Sequence, residues 1–232
     1  MPRRRATKVS KPRNSRSAQQ SRRVRTVWLS LVGSMTAVGG LLLVMDGSRS
    51  GRSDGLTLQP LAAATRTPMG NGLESVFTAP SVPVKQGRWT SIVIHHSGEP
   101  VGSAQSLSEQ FRAAGHKGLG HHFIIGNGRG MDNGELHVGY RWLEQLAGAH
   151  AAGPQANQFN ATSISICLVG DGDRQKFTTA QIARMEELVS ALCRQLGISP
   201  KNVHLHRDIA PGTTDPGQLF PEARFRQSVA AR

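Results

Sequence analysis

From about Val84 onward, short β-rich apolar runs alternate with polar, glycine-bearing segments; before that point the chain shows one unbroken apolar run and otherwise no sustained period. Thr90 to His95 (TSIVIH) is β-branched and mostly apolar, which predicts a central strand. Ser103 to Ala114 follows with Leu107 and Phe111 spaced i, i+4, which predicts a helix. His121 to Gly126 reads as a second strand ending in an Asn127-Gly128 turn, Glu135 to Val138 as a short third, and Ser163 to Val169 (SISICLV) as a buried fourth. A long helix comes next. Thr178 is placed as its N-cap, with Gln181 completing a capping box; Ile182, Met185, Leu188, Val189 and Leu192 form the apolar stripe, and Gly197 is the stop. Val203 to His206 predicts a last short strand. Strands interleaved with helices indicate an α/β (α+β) domain around a central mixed sheet over residues 84–228, with no internal repeat.

The segment before it divides in three. Residues 1–26 carry ten Lys and Arg and no acid, so of the net charge of +13 only +3 belongs to the remainder. A tail so basic and so poor in apolar residues is expected to be disordered, and it removes the need to read the whole protein as a nucleic-acid binder. Val27 to Met45 is uncharged for nineteen residues, about 28 Å as a helix, enough to cross the hydrocarbon of a membrane. With cations before it and Asp46 after it, the positive-inside rule keeps the N-terminus cytoplasmic and exports the rest. An uncleaved anchor is expected, with cleavage and secretion as the alternative. Residues 46–83, rich in Ser, Gly, Thr, Pro and Ala, read as a flexible linker. Cys167 and Cys193 are too few for a disulfide scaffold and are expected as unpaired thiols, largely buried.

Nine histidines change the picture further. Several fall at strand ends (His95-His96, His121-His122, His204 and His206), and an aspartate lies in the Gly/Pro-rich loop HRDIAPGTTDPG. Neutral imidazoles with one carboxylate can form a three-ligand zinc site whose fourth position is left for water. The run His204-x-His206-x-Asp208 also copies the start of the HxHxDH motif of metallo-β-lactamase-like hydrolases, but its sixth position is Ile209.

Five blocks occur in order: IVIHHSG, GHHFIIGNG, GAHA, NATSISICLVG and the HRD to TDPG loop. Together they resemble the type-2 N-acetylmuramoyl-L-alanine amidases and peptidoglycan-recognition proteins, over about residues 88–222. The resemblance implies zinc ligands at His95, His206 and Asp215, and hydrolysis of the amide between N-acetylmuramic acid and L-alanine in peptidoglycan or muropeptides. His121 stands where many active members carry Tyr, and Cys167 where others carry Glu. His121 and Thr213 are then the residues expected to assist catalysis, with His150 and Asn160 lining or supporting the groove. His122 is expected to anchor the core, and Trp142, Phe123 and Phe111 to form core or groove wall. The rival reading is a peptidoglycan-binding module of the same fold without turnover. A monomer is expected, tethered to the membrane through residues 27–45.

Overall fold

The computed structural model describes residues 55–58 and 73–231. In chain order the elements are β1 (Gly55–Leu58), α1 (Glu74–Thr78), β2 (Ser91–His96), α2 (Ala104–Ala113), β3 (Phe123–Ile125), β4 (Leu136–Gly139), α3 (Tyr140–Leu143), α4 (Ala156–Thr162), β5 (Ser163–Leu168), α5 (Thr179–Leu196), β6 (Val203–Leu205), α6 (His206–Ile209) and α7 (Glu222–Ala230). One six-stranded mixed sheet runs in the order β1-β4-β3-β5-β2-β6. Its β3, β5, β2 and β6 are mutually parallel, and β4 and β1 continue it antiparallel.

Period-2 alternation decides which side chains meet which layer. Ile92 and Ile94, Phe123 and Ile125, Leu136 and Val138, Ile164, Ile166 and Leu168, Val203 and Leu205 all join one buried cluster. The stripe of α5 (Ile182, Met185, Leu188, Val189, Leu192) and Phe225 and Val229 of α7 complete it. On the opposite face Ile124, Cys167 and Val169 pack with Leu107 of α2, Leu119 and Met131. The same alternation that buries Ile94 and Ile166 under α5 therefore sends His95 and Ser165 to the α2 face.

The long helix forms as its pattern predicts. Thr178 accepts from the Gln181 N–H while the Gln181 side chain accepts from the Thr178 N–H, both at 3.1 Å. Gly197 ends the helix in the left-handed region at φ 69°, where a side chain would be strained. Gln181 also donates to the carbonyls of Ile125 and Val169, so the capping residue ties α5 to two strands.

The described residues correct the expected linker at 46–83. Within it, β1 pairs with β4 from Gly55↔Gly139 to Leu58↔Leu136, and α1 buries Val76 in the main core. The Trp142 indole N–H donates to the Val76 carbonyl at 2.7 Å, which is why so short a helix holds its place. Both elements are stabilised by partners 66 to 84 residues away, which local composition does not reveal. Among the described residues no helix is long and apolar enough to cross a membrane. The expected span at 27–45 and the basic tail at 1–26 lie outside the described residues. Neither cysteine is in a disulfide; Cys167 is buried and Cys193 half-buried.

Candidate metal centre

β2 ends at the site. His95, 2 % exposed, pairs in register with Cys167 of β5, and β6 on its other side delivers His206 as the first residue of α6. The loop after α6 then brings Asp215 back. Its Oδ2 accepts from His206 Nδ1 at 2.8 Å and from His95 Nδ1 at 3.1 Å, and its Oδ1 accepts from the His96 backbone N–H at 2.7 Å. The three side chains that the sequence singles out as ligands are thus brought together, and they form the one group of three metal-capable side chains among the described residues.

Two features test whether zinc fits there. The donor set is two imidazole nitrogens and one carboxylate oxygen, a set zinc favours, and neighbouring donors of a tetrahedral zinc lie ~3.3 Å apart, little more than the 2.8 and 3.1 Å found here. In addition, burial favours the neutral form of His95 that a ligand must have: it lowers its pKa, although the Asp215 carboxylate opposes this. Burial alone would raise Asp215, but the imidazole of His95 and the hydrogen bonds from His206 and His95 outweigh it and hold the carboxyl below its ordinary range. The residues present fit the metal.

Around these three, a second set fixes their orientation. His150, from the loop between α3 and α4, places Nδ1 3.0 Å from His95 Nε2, so the far nitrogen of this ligand is already engaged. Asn160 of α4 supports that loop: its Oδ1 accepts from the N–H groups of His150 and Ala151 at 2.8 and 2.9 Å. Thr213 accepts the Asp215 N–H at 3.1 Å, which places its hydroxyl in the turn that presents the carboxylate. The loop after β5 clamps the same turn. Asp173 accepts from the Thr214 hydroxyl at 2.5 Å and the Gln218 N–H at 2.9 Å, and the Gly172 N–H donates to His96 Nδ1 at 3.0 Å. Gly172 and Gly217 pack backbone on backbone; a Cβ on Gly172 would sit 1.9 Å from the Pro216 carbonyl oxygen.

His95 and Asp215 of the cluster line an open cleft of about 310 Å³ whose walls include Phe111 and Gln110 of α2, His116, His121 and His150. His121 and His122 precede β3, level with the middle of β5, where the His122 N–H donates to the Ser165 carbonyl at 3.2 Å. His121 joins the site through a ring contact of 5.0 Å with His95 and an edge-on contact with Phe111. Burial and the neighbouring His95 push its pKa well down. His122 instead turns into the core: it is fully buried, packs edge-on against Trp89, accepts from Ser165 N at 3.0 Å and donates to the Leu146 carbonyl at 3.1 Å. Trp142 and Phe123 are core, while Phe111 is cleft wall.

The metallo-β-lactamase-like alternative finds no support in the geometry. His204 packs edge-on against Phe159, and Asp208 accepts from Leu205 N and pairs with Arg226 at 2.6 Å, so neither joins the cluster. Sequence reasoning did not identify His96, whose N–H and ring tie Asp215 to the Gly172 loop, nor Ser165, whose Oγ lies 2.5 Å from His121 Nδ1. The doubled histidine was a visible signal for the first; nothing local marked the second.

A family model for N-acetylmuramoyl-L-alanine amidase matches residues 85–218. Among solved structures, the fold is similar to an endolysin N-acetylmuramoyl-L-alanine amidase from Clostridium intestinale URNW at 24 % identity, covering 62 % of this chain and 84 % of that one with a TM-score of 0.52. A second amidase from that organism gives the same identity and TM-score over 62 % and 86 %. No curated protein sequence matches. The match spans more than half of the residues and every ligand candidate: the chain belongs to the N-acetylmuramoyl-L-alanine amidase family.

Proposed function

We propose that this chain is a zinc-dependent amidase that hydrolyses the bond between the lactyl group of N-acetylmuramic acid and the L-alanine of the stem peptide. The observation that carries the reading is the convergence of His95, His206 and Asp215 beside an open cleft that His95 and Asp215 line. Bound there, zinc supplies Lewis acidity towards the amide carbonyl and makes water nucleophilic near neutral pH. The chain's own residues do the rest. Asp215 holds the imidazoles of His95 and His206 facing one point, and His150 fixes His95 from behind. Phe111 and α2 form one wall of the cleft and shield the reacting amide from bulk water. His121, on the same wall, is the side chain placed to exchange a hydrogen bond or proton with the reacting groups.

Residues 27–45 would hold this domain on the outer side of the cytoplasmic membrane, where the wall is, with the N-terminus inside; cleavage there would release it instead. A second reading, a module that binds peptidoglycan without turnover, is favoured by Cys167. Burial pushes this thiol well above its ordinary pKa, so β5 offers no ionisable group to share in proton transfer.

The test uses the full chain. Zinc content is measured first, then release of L-alanine amino groups from peptidoglycan with and without a chelator. Chelator-sensitive release is expected; stoichiometric zinc with no release from several wall types would overturn the enzyme reading in favour of the binding module.

A further inference from the structure

The hydrogen bond between Ser165 and His121 decides what His121 can do. Ser165 Oγ lies 2.5 Å from His121 Nδ1, Ser165 is fully buried, and its hydroxyl has no other partner among the described residues. Two assignments of the hydrogens are available. If Nδ1–H donated to Oγ, the hydroxyl hydrogen of Ser165 would be left buried with no acceptor, the arrangement that folded proteins avoid. If Oγ–H donates to Nδ1, both groups are satisfied and the imidazole hydrogen sits on Nε2, the nitrogen left for the cleft. The backbone of the same residue settles the next ring in the same sense: Ser165 N–H donates to His122 Nδ1 at 3.0 Å, so His122 carries its hydrogen on Nε2 and gives it to the Leu146 carbonyl. One residue of β5 thus reads both histidines of the pair. Phe111, edge-on to His121 with ring centroids 5.3 Å apart, packs against the ring and limits its turning over.

We propose that Ser165 is a positioning residue that holds His121 as its Nε2–H tautomer, so that His121 serves as a hydrogen-bond donor to the oxygen of the scissile amide rather than as a base. An Nε2–H aimed at that oxygen can support the negative charge that develops on it, the role a phenol hydroxyl could fill in its place. This rests on the amidase reading given above, and it reaches further by assigning the proton and the residue that places it.

The test is long-range ¹H–¹⁵N NMR of the zinc-loaded full chain carrying ¹⁵N-histidine, near neutral pH. The expected His121 pattern is a protonated, pyrrole-type Nε2 and an unprotonated, pyridine-type Nδ1; the reverse pattern overturns the proposal whether or not the chain turns over substrate. Ser165→Ala should bring tautomer averaging at His121 with zinc content unchanged, and Ser165→Thr should restore the pattern. In turnover, Ser165→Ala should lower kcat by about 10- to 100-fold, part of the roughly 10²–10³ that one donor to a developing oxyanion contributes. It should cost nothing more in a His121→Ala background. An equal loss in both backgrounds would show that Ser165 acts only on the fold and would sink the proposal. If the wild-type chain binds zinc and cuts nothing, the amidase reading fails while the NMR pattern still decides the tautomer.

Discussion

His122 offers a stability measurement whose size follows from the structure. Its ring is fully buried, and burial pushes its pKa down to about 3, although the hydrogen bond to the Leu146 carbonyl opposes this. In the unfolded chain the same imidazole titrates near ~6.5. Between these values the unfolded state binds a proton that the native state refuses, so stability is full above pH ~6.5 and falls as the pH drops towards ~3. The full gap corresponds to about 5 kcal/mol at 1.36 kcal/mol per pKa unit, of which about 2 kcal/mol is already lost at pH ~5 and almost none at pH ~7. Replacing His122 by Ala removes this titration. At neutral pH it also strands the Ser165 N–H and the Leu146 carbonyl at about 1–3 kcal/mol each, for a total near ~4 kcal/mol with the lost contact to Trp89. Urea unfolding of the zinc-free chain should therefore give a destabilisation by His122→Ala of about 4 kcal/mol at pH ~7, shrinking to about 2 kcal/mol at pH ~5. The other histidines are common to both proteins and largely cancel in the difference. A destabilisation constant within about 0.5 kcal/mol across that range would refute the claim that His122 is buried as the neutral ring.

Three further outcomes are expected. Asp215→Ala should abolish zinc retention, because it removes one ligand and leaves the Nδ1 atoms of His95 and His206 without the acceptor that aligns them; normal zinc content by elemental analysis would contradict the ligand assignment. His121→Ala should keep the metal and lose about 10²–10³ in kcat, and a variant as fast as wild type would take His121 out of the mechanism. Gly172→Ala should displace the Asp215 turn, since its methyl would meet the Pro216 carbonyl oxygen at 1.9 Å. Zinc affinity, read by competition with a chelating dye, should fall by about 10- to 100-fold, the range typical for supports of a metal site; unchanged affinity would show the loop to be more compliant than its packing implies.

The parts of the fold that were legible in the sequence are those whose signal is local. Strand β2 announces itself by the β-branched run Ile92-Val93-Ile94, β5 by isoleucines alternating with small residues, and α5 by a stripe with a cap at each end. Strand β1 and helices α1, α3 and α4 were not legible: at four to seven residues each they lack the length for a period to register. Their stability comes from contacts such as Trp142 to Val76, which join distant stretches of chain. The site divides in the same way. His95, His206 and Asp215 stand in recognisable motifs, whereas Ser165 looks like an ordinary polar position in an alternating strand. Its meaning depends on a ring 44 residues away and on burial that only tertiary packing creates.

The placement of β1 has a mechanical consequence. It lies at the edge of the sheet, hydrogen-bonded to β4 alone, and β4, β3 and β5 separate it from β2, which carries His95. In the tethered arrangement proposed above, a tug between membrane and wall enters the domain at Gly55. The load then falls first on a four-residue ladder at the far side of the sheet. In that arrangement such a ladder would yield and re-form like a fuse while the strands bearing His95 and His206 keep their register, insulating the geometry of the cluster from the pull.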